Sequence, residues 1–346
     1  MARIPKLLVA QRQSLSHDKL MSRSISARFG PLLDYMARRN MLTWNAIPEN
    51  EISVKQLNQV DAVLLNKHTS PRALDLVRLA NQLGKISIYD LDDWIMDLPQ
   101  YSVTNLAEDM LENISCMLRE AKYVSVSNQL LARKLRPLRQ DIHLIVNGFD
   151  YDEIKTDPDD WREKAPPRIL FSNTDGLKLV KFRRQFIETL RLFMRAHPEI
   201  TLDFWGDSFP EMHIIEGINL MGFLPNQEYK RAIRDAGYAF AIVPLGGQED
   251  QDTFIFNSCK SCIKYIDYGS LGIPGIYSQT PVYSDNIIDQ STGILAHNTS
   301  NHWYEAMANL YLNPQLRTKI RSNAYVDTRA RFNLDQPAYV LASLLT

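Results

Sequence analysis

Residues 259–278 read CKSCIKYIDYGSLGIPGIYS, and this stretch decides the fold. Lys260, Ser261, Lys264, Asp267, Tyr268 and Leu271 recur at three- and four-residue spacings. The spacing predicts a helix with two ammonium groups and a carboxylate on one side and an apolar opposite side. Gly272 ends that helix, Pro274 holds the residue before it outside the helical region, and GIYS then reads as a short buried strand. Helix, tight turn and short parallel strand form the unit of a doubly wound sheet. A helix start carrying Lys260, Ser261 and Lys264 suits a phosphate group, because free backbone N–H groups and ammonium groups both favour an anion there. Asp267, further along, is placed to take hydroxyls from a sugar or ribose.

Working outward, the same alternation of apolar runs and amphipathic helices fills the chain. Strands are expected at 6–10, 41–46, 61–66, 85–89, 123–127 and 142–146, with Ser127 capping the helix that follows its strand. A second series is expected at 168–172, 200–205, 218–222, 238–244 and 292–296, with residues 245–258 as a loop. Between the two series, residues 151–167 are polar and hold Pro158, Pro166 and Pro167, which marks a linker. The expected organisation is therefore a first domain over 1–150, a linker, a second domain over 168–332 and a closing helix over 333–346.

In mostly parallel sheets ligands bind beyond the carboxyl ends of strands. Asn66-Lys67-His68 lies at one such end, and Asp90, Asp92 and Asp93, within IYDLDDWIMDLP, lie at another. Three carboxylates so close together repel one another unless cations or polar groups stand beside them. Asp92 or Asp93 is accordingly expected to orient an acceptor or act as a base, the plainer alternative being a helix cap. A metal held by these aspartates is the weaker expectation, and no metal cofactor is assigned. In the second domain the turn after residues 168–172 carries Asn173, Lys178 and Lys181, and a lysine at a helix start is electrostatically disfavoured unless an anion is bound. Arg12, His17, Lys19 and Arg23 offer positive charge for an anionic acceptor, the plainer alternative being a mobile surface loop.

Composition bounds the rest. The 346 residues suffice for two ordinary domains, 45% of them are hydrophobic, and the formal net charge is −1, so no global field calls for nucleic acid. Three cysteines are not a disulfide framework, and Cys259-Lys-Ser-Cys262 has no second pair to complete a zinc site. No stretch approaches the length of a membrane span and no signal peptide is read at the start, so a cytoplasmic protein is expected. Peripheral membrane contact is left open by Arg133, Lys134, Arg136 and Arg139 among Leu130, Leu131, Leu135 and Leu138.

The helix, Gly-Ile-Pro turn and strand of residues 259–278 resemble the C-terminal half of GT-B glycosyltransferases, in particular retaining family 4. IHLIVNGFD resembles that family's closing strand of the first domain, and the Gly206-Asp207 turn its second-domain turn. The resemblance implies an α/β protein of GT-B architecture, with two Rossmann-like domains and a cleft between them. It implies transfer of a sugar from a nucleotide-activated donor to a glycan or lipid-linked acceptor, in bacterial surface polysaccharide synthesis, with retention and no obligatory base. Lys178, Lys181, Lys260 and Lys264 would meet the diphosphate, Asn173 and Ser261 would line the same site, and Asp267 would hold ribose. Cys259 stands where the family places its first acidic residue, and the first loop lacks the family's glycine pair. A nucleotide-sugar epimerase of the same fold, or a non-catalytic GT-B module in an assembly complex, are the rival readings.

Overall fold

The computed structural model describes residues 3–12, 23–99, 106–158, 161–173 and 176–346; His17 and Lys19 lie outside the described residues. Two six-stranded sheets, parallel throughout, organise the chain. The first contains β1 (Lys6–Gln11), β2 (Thr43–Pro48), β3 (Ala62–Asn66), β4 (Ile86–Leu91), β5 (Tyr123–Val126) and β6 (Ile142–Leu144) in the order β2-β1-β3-β4-β5-β6. The second contains β7 (Arg168–Ser172), β8 (Thr201–Trp205), β9 (Ile218–Gly222), β10 (Phe240–Val243), β11 (Gly275–Ser278) and β12 (Ile294–Ala296) in the order β12-β11-β10-β7-β8-β9. Central strands such as β3 and β10 are buried along their whole length, which is why they read as continuous apolar runs.

Each sheet reverses its strand order once, between β1 and β3 in the first and between β7 and β10 in the second. Such reversals open a crevice beyond the strand ends, where ligands bind in doubly wound folds. The two sheets are tied by paired crossings: the Phe149 N–H donates to Phe332 O at 2.8 Å, and the terminal helix Asp335–Leu344 packs Ala338, Leu341 and Leu344 into the core that holds Leu7 and Val9 of β1.

Three local expectations are corrected. The helix of residues 259–271 begins only at Ile263, and a separate helix, Gln251–Ser258, occupies part of the expected loop. Lys260 and Ser261 therefore sit in the corner between two helices and not on one helical face with Lys264. The break has a cause in the first domain, where Asn128 Nδ2 donates to Cys259 O at 2.7 Å and Lys260 O at 3.3 Å, satisfying carbonyls that a continuous helix would have used. Asn128, not Ser127, caps its helix, its Oδ1 accepting from the Leu131 N–H, while the Ser127 hydroxyl turns to Asp92 O. Gly272 does end the second helix, with φ of +68°, and any Cβ there would stand 2.1 Å from the Trp161 ring.

Candidate functional site

The carboxyl ends of both sheets converge on residues 259–264, and the polar groups there fall into two sets. The first set is self-compensated. Asp90, fully buried at the end of β4, receives Arg28 Nη2 at 2.8 Å and Nε at 3.2 Å, the Ser125 hydroxyl at 2.6 Å and Asn66 Nδ2 at 2.8 Å. Asp92 pairs with Lys67 at 3.1 Å, and Asp93 lies 2.8 Å from Lys67 and 3.3 Å from Lys260 of the second domain. Burial alone would raise the Asp93 carboxyl, but Lys260 and Lys67 overcome it and hold the group well below the usual carboxylate range. Asp93 is thus a weak base here, and neither aspartate caps a helix. Arg28 also donates to Asn147 Oδ1 at 2.9 Å, and Asn147 Nδ2 donates to Ser261 Oγ at 2.7 Å, carrying the network across to the second domain.

The second set lies at the strand reversal of the second sheet. Lys264 Nζ donates to the Ser172 hydroxyl at the end of β7, at 3.2 Å, and forms no ion pair among the described residues. Burial and the neighbouring Lys178 charge lower its pKa to about 8, against a smaller opposing effect of Asp267. Burial and a like charge both disfavour the charged form of Lys264, and an anion beside it would favour that form. Lys178 belongs to a single turn, Gly176–Leu179, held by the Gly246 N–H donating to Lys178 O at 3.1 Å. Gly246 is needed for this, since a Cβ would come within 2.4 Å of Leu179 O; the close approach allowed by that glycine is to the chain's own backbone.

The remaining expected residues divide. Asn173 is buried next to Ser172, its N–H donating to Trp205 O at 3.0 Å. Lys181 is exposed at the start of the helix Phe182–Ala196 and contributes to lowering the Asp250 carboxyl, whose main partner is the Thr253 hydroxyl. Asp267 is buried and ion-paired at 2.8 Å with Lys230, a charge partner that the sequence reading does not include. Lys230 sits on the helix Asn226–Ala236, too far along the chain for helical spacing to reveal it. Cys259 joins the apolar cluster of the first domain that includes Leu131 and Leu135. Burial pushes the Cys262 thiol up to about 12, and Cys116, Cys259 and Cys262 are all free thiols. Among the described residues no group of three or more His, Cys, Asp or Glu is arranged around a metal position.

Of the basic cluster after β5, Arg139 is turned onto the carbonyls of Leu118, Arg119 and Ala121, and Lys134 covers the Trp94 ring at 4.3 Å. No helix among the described residues is long and apolar enough to cross a membrane.

No family model and no curated protein matches this sequence. Solved structures do. HepE from Anabaena, crystallised with UDP and glucose, superposes with a TM-score of 0.66 at 13% identity over 99% of both chains. A sucrose-phosphate synthase from Thermosynechococcus elongatus gives 0.63 at 15% identity, over 99% of this chain and 98% of that one. The fold is GT-B. A proposed UDP-N-acetylglucosamine 2-epimerase from Listeria monocytogenes also matches this GT-B chain, with a TM-score of 0.57 at 12% identity over 97% of this chain and 94% of that one. At these identities the likeness carries the architecture alone.

Proposed function

We propose that this GT-B protein is a glycosyltransferase, moving a sugar from a nucleoside-diphosphate donor held by the second domain to an acceptor hydroxyl on the first. The observation that carries the reading is the Lys264 ammonium. It is held at the strand reversal beyond β7, beside Lys178 and without a carboxylate partner among the described residues. A diphosphate supplies the missing negative charge. As the bond to the sugar breaks, charge builds on the diphosphate, and fixed cations in a water-poor crevice stabilise that charge most. HepE binds UDP and glucose on the same architecture, which supports uridine as the first base to test. No resident cofactor or metal is invoked. Assembly of a bacterial surface polysaccharide, with a glycan or lipid-linked acceptor, is the biological setting we favour.

The test is thermal stability of the purified protein against UDP, GDP, dTDP, CMP and ADP, with Lys264→Ala beside it. A nucleotide at a hundred times its dissociation constant stabilises the native state by about 2.7 kcal/mol. A selective shift that Lys264→Ala cuts by half or more is expected; no shift with any nucleotide overturns the reading. The epimerase alternative predicts instead interconversion of the free sugar nucleotide without an acceptor.

A further inference from the structure

The first sheet has its own strand reversal, between β1 and β3, and the groups beyond it differ from those at the second. Glu49 follows the end of β2, Arg12 follows β1, and His68 follows β3, so the three converge from adjacent strands. His68 is 1% exposed, its Nε2 lies 3.7 Å from Glu49 Oε2, and its ring nitrogens face the Gln11 and Asn66 carbonyls without a hydrogen bond of ordinary geometry. Arg12 donates to the Ser24 hydroxyl at 2.9 Å, while its Nε is buried without a partner. Glu49 is 6% exposed and accepts one hydrogen bond at its side chain, from Ser70 Oγ at 2.8 Å. Three unsatisfied polar atoms at one strand reversal require an explanation, since buried hydrogen-bonding groups are otherwise nearly always matched.

We propose that Glu49, His68 and Arg12 bind the acceptor hydroxyl and that Glu49 accepts its proton. The inference rests on the transferase reading. In the step, the hydroxyl proton passes to the Glu49 carboxylate and the oxygen forms a bond to the sugar's anomeric carbon. The bond from that carbon to the diphosphate breaks, and its electron pair leaves on the diphosphate beside Lys178 and Lys264. The proton on Glu49 is later lost to water. A base on the acceptor is the requirement of an inverting displacement, which departs from the retention the family resemblance implies. The environment agrees with the role. Burial raises the Glu49 carboxyl against smaller opposing effects of Ser70, Arg12 and Arg72. Burial, then Arg12, lowers His68 to about 3 against the Gln11 and Asn66 carbonyls, so the imidazole is a neutral hydrogen-bonding partner. Asp93, held ionised by two lysines, is the poorer base.

The test uses UDP-glucose without an acceptor, water taking the acceptor's place, alongside UDP binding to wild type, Glu49→Gln and His68→Asn. Unchanged UDP affinity in the variants establishes that they fold and that the donor site stands; where another nucleotide of the panel binds wild type in place of UDP, its sugar conjugate replaces UDP-glucose, and no binding by any of them removes the donor reading and this inference with it. With UDP bound, Glu49→Gln is expected to slow hydrolysis by about 10²- to 10⁴-fold. It is also expected to remove the rise of rate with pH, and β-glucose is expected as the first anomer released by wild type. Hydrolysis by Glu49→Gln at the wild-type rate with the same pH profile, or α-glucose released first, overturns the proposal. If wild type binds UDP but does not hydrolyse UDP-glucose, the ring ¹⁵N shifts of His68 are titrated with methyl glucoside in the UDP-loaded protein. A saturable change that Glu49→Gln abolishes supports the site, and its absence overturns it.

Discussion

The strand ends of the two sheets handle charge in opposite ways. Beyond β3 and β4 of the first sheet the chain supplies its own counter-charges: Arg28 for Asp90, Lys67 for Asp92, and Lys67 with Lys260 for Asp93. Beyond β7 of the second, Lys264 has a hydroxyl and the Lys178 ammonium beside it, and Asp267, already paired with Lys230, offsets its burial only in part. The first arrangement stabilises the protein whether or not a ligand is present. The second costs stability until an anion arrives, and that is the signature expected of a binding site more than of a scaffold.

The largest effect expected from this contrast is at Arg28. Its side chain is 1% exposed and that of Asp90 is 0% exposed, so Arg28→Met leaves a buried carboxylate with hydroxyl and amide donors but no cation. Removing one partner of such a pair costs about 3–5 kcal/mol. A fall in melting temperature on the order of 10 °C should follow for a domain of this size. A loss under 1 kcal/mol in urea unfolding would mean that Ser125 and Asn66 alone satisfy Asp90, and the first half of the contrast would fail.

Lys264 should behave in the opposite sense. Lys264→Ala is expected to weaken UDP binding by about 1.5–3 kcal/mol, the worth of a hydrogen bond to a charged group. Lys264→Met, which keeps most of the side-chain volume, is expected to make the ligand-free protein more stable. The lysine's pKa is lowered from 10.5 to about 8 on folding. Its charged form is therefore the destabilised one, and the penalty is fully present below pH 8, on the order of 3 kcal/mol. Between pH 8 and 10.5 the unfolded chain holds the proton that the folded chain releases, so wild-type stability rises relative to Lys264→Met across that window. Bound diphosphate raises the lysine's pKa again, so UDP affinity should fall as pH increases above about 8, by up to tenfold per unit, with proton uptake on binding visible by calorimetry in two buffers. A Lys264→Met protein less stable than wild type at pH 7 would place the lysine among the self-compensated groups.

How far these sites can be read from sequence follows from the same contrast. The alternation of strands and helices, the turn at Gly272 and the crowding of Asp90, Asp92 and Asp93 are local properties, and the sequence exposes them directly. The crowding even demands nearby cations. It does not say which, because Arg28 lies 62 residues from Asp90 and Lys260 lies 167 from Asp93. The helix through residues 259–271 is misread for the same reason: nothing local interrupts it, and the break is made by Asn128 of the other domain. Asp267 looks free until Lys230 of a neighbouring helix is placed against it. Glu49 carries no motif at all. His68 was visible at a strand end, whereas Glu49 becomes conspicuous only once the order of β2, β1 and β3 brings the two together.

The smallest effect, and the one that decides where the boundary between the two sets runs, concerns Lys260. It is expected to meet the diphosphate by resemblance, yet it is paired with Asp93 across the domains at 3.3 Å, with side chains 19% and 26% exposed. A partly exposed pair of this length contributes about 0.5–1 kcal/mol, so a double-mutant cycle with Asp93→Asn and Lys260→Met should return a coupling of that order in the ligand-free protein. Repeating the cycle on UDP affinity separates two arrangements. If Asp93 keeps Lys260, then Lys260→Met changes the dissociation constant by less than about threefold, and Asp93→Asn leaves it unchanged. If the diphosphate draws Lys260 away, Lys260→Met weakens binding by about tenfold or more, while Asp93→Asn tightens it, because the competing carboxylate is gone. The second outcome would make the Asp93–Lys260 pair the point at which the self-compensated set gives up a cation to the ligand.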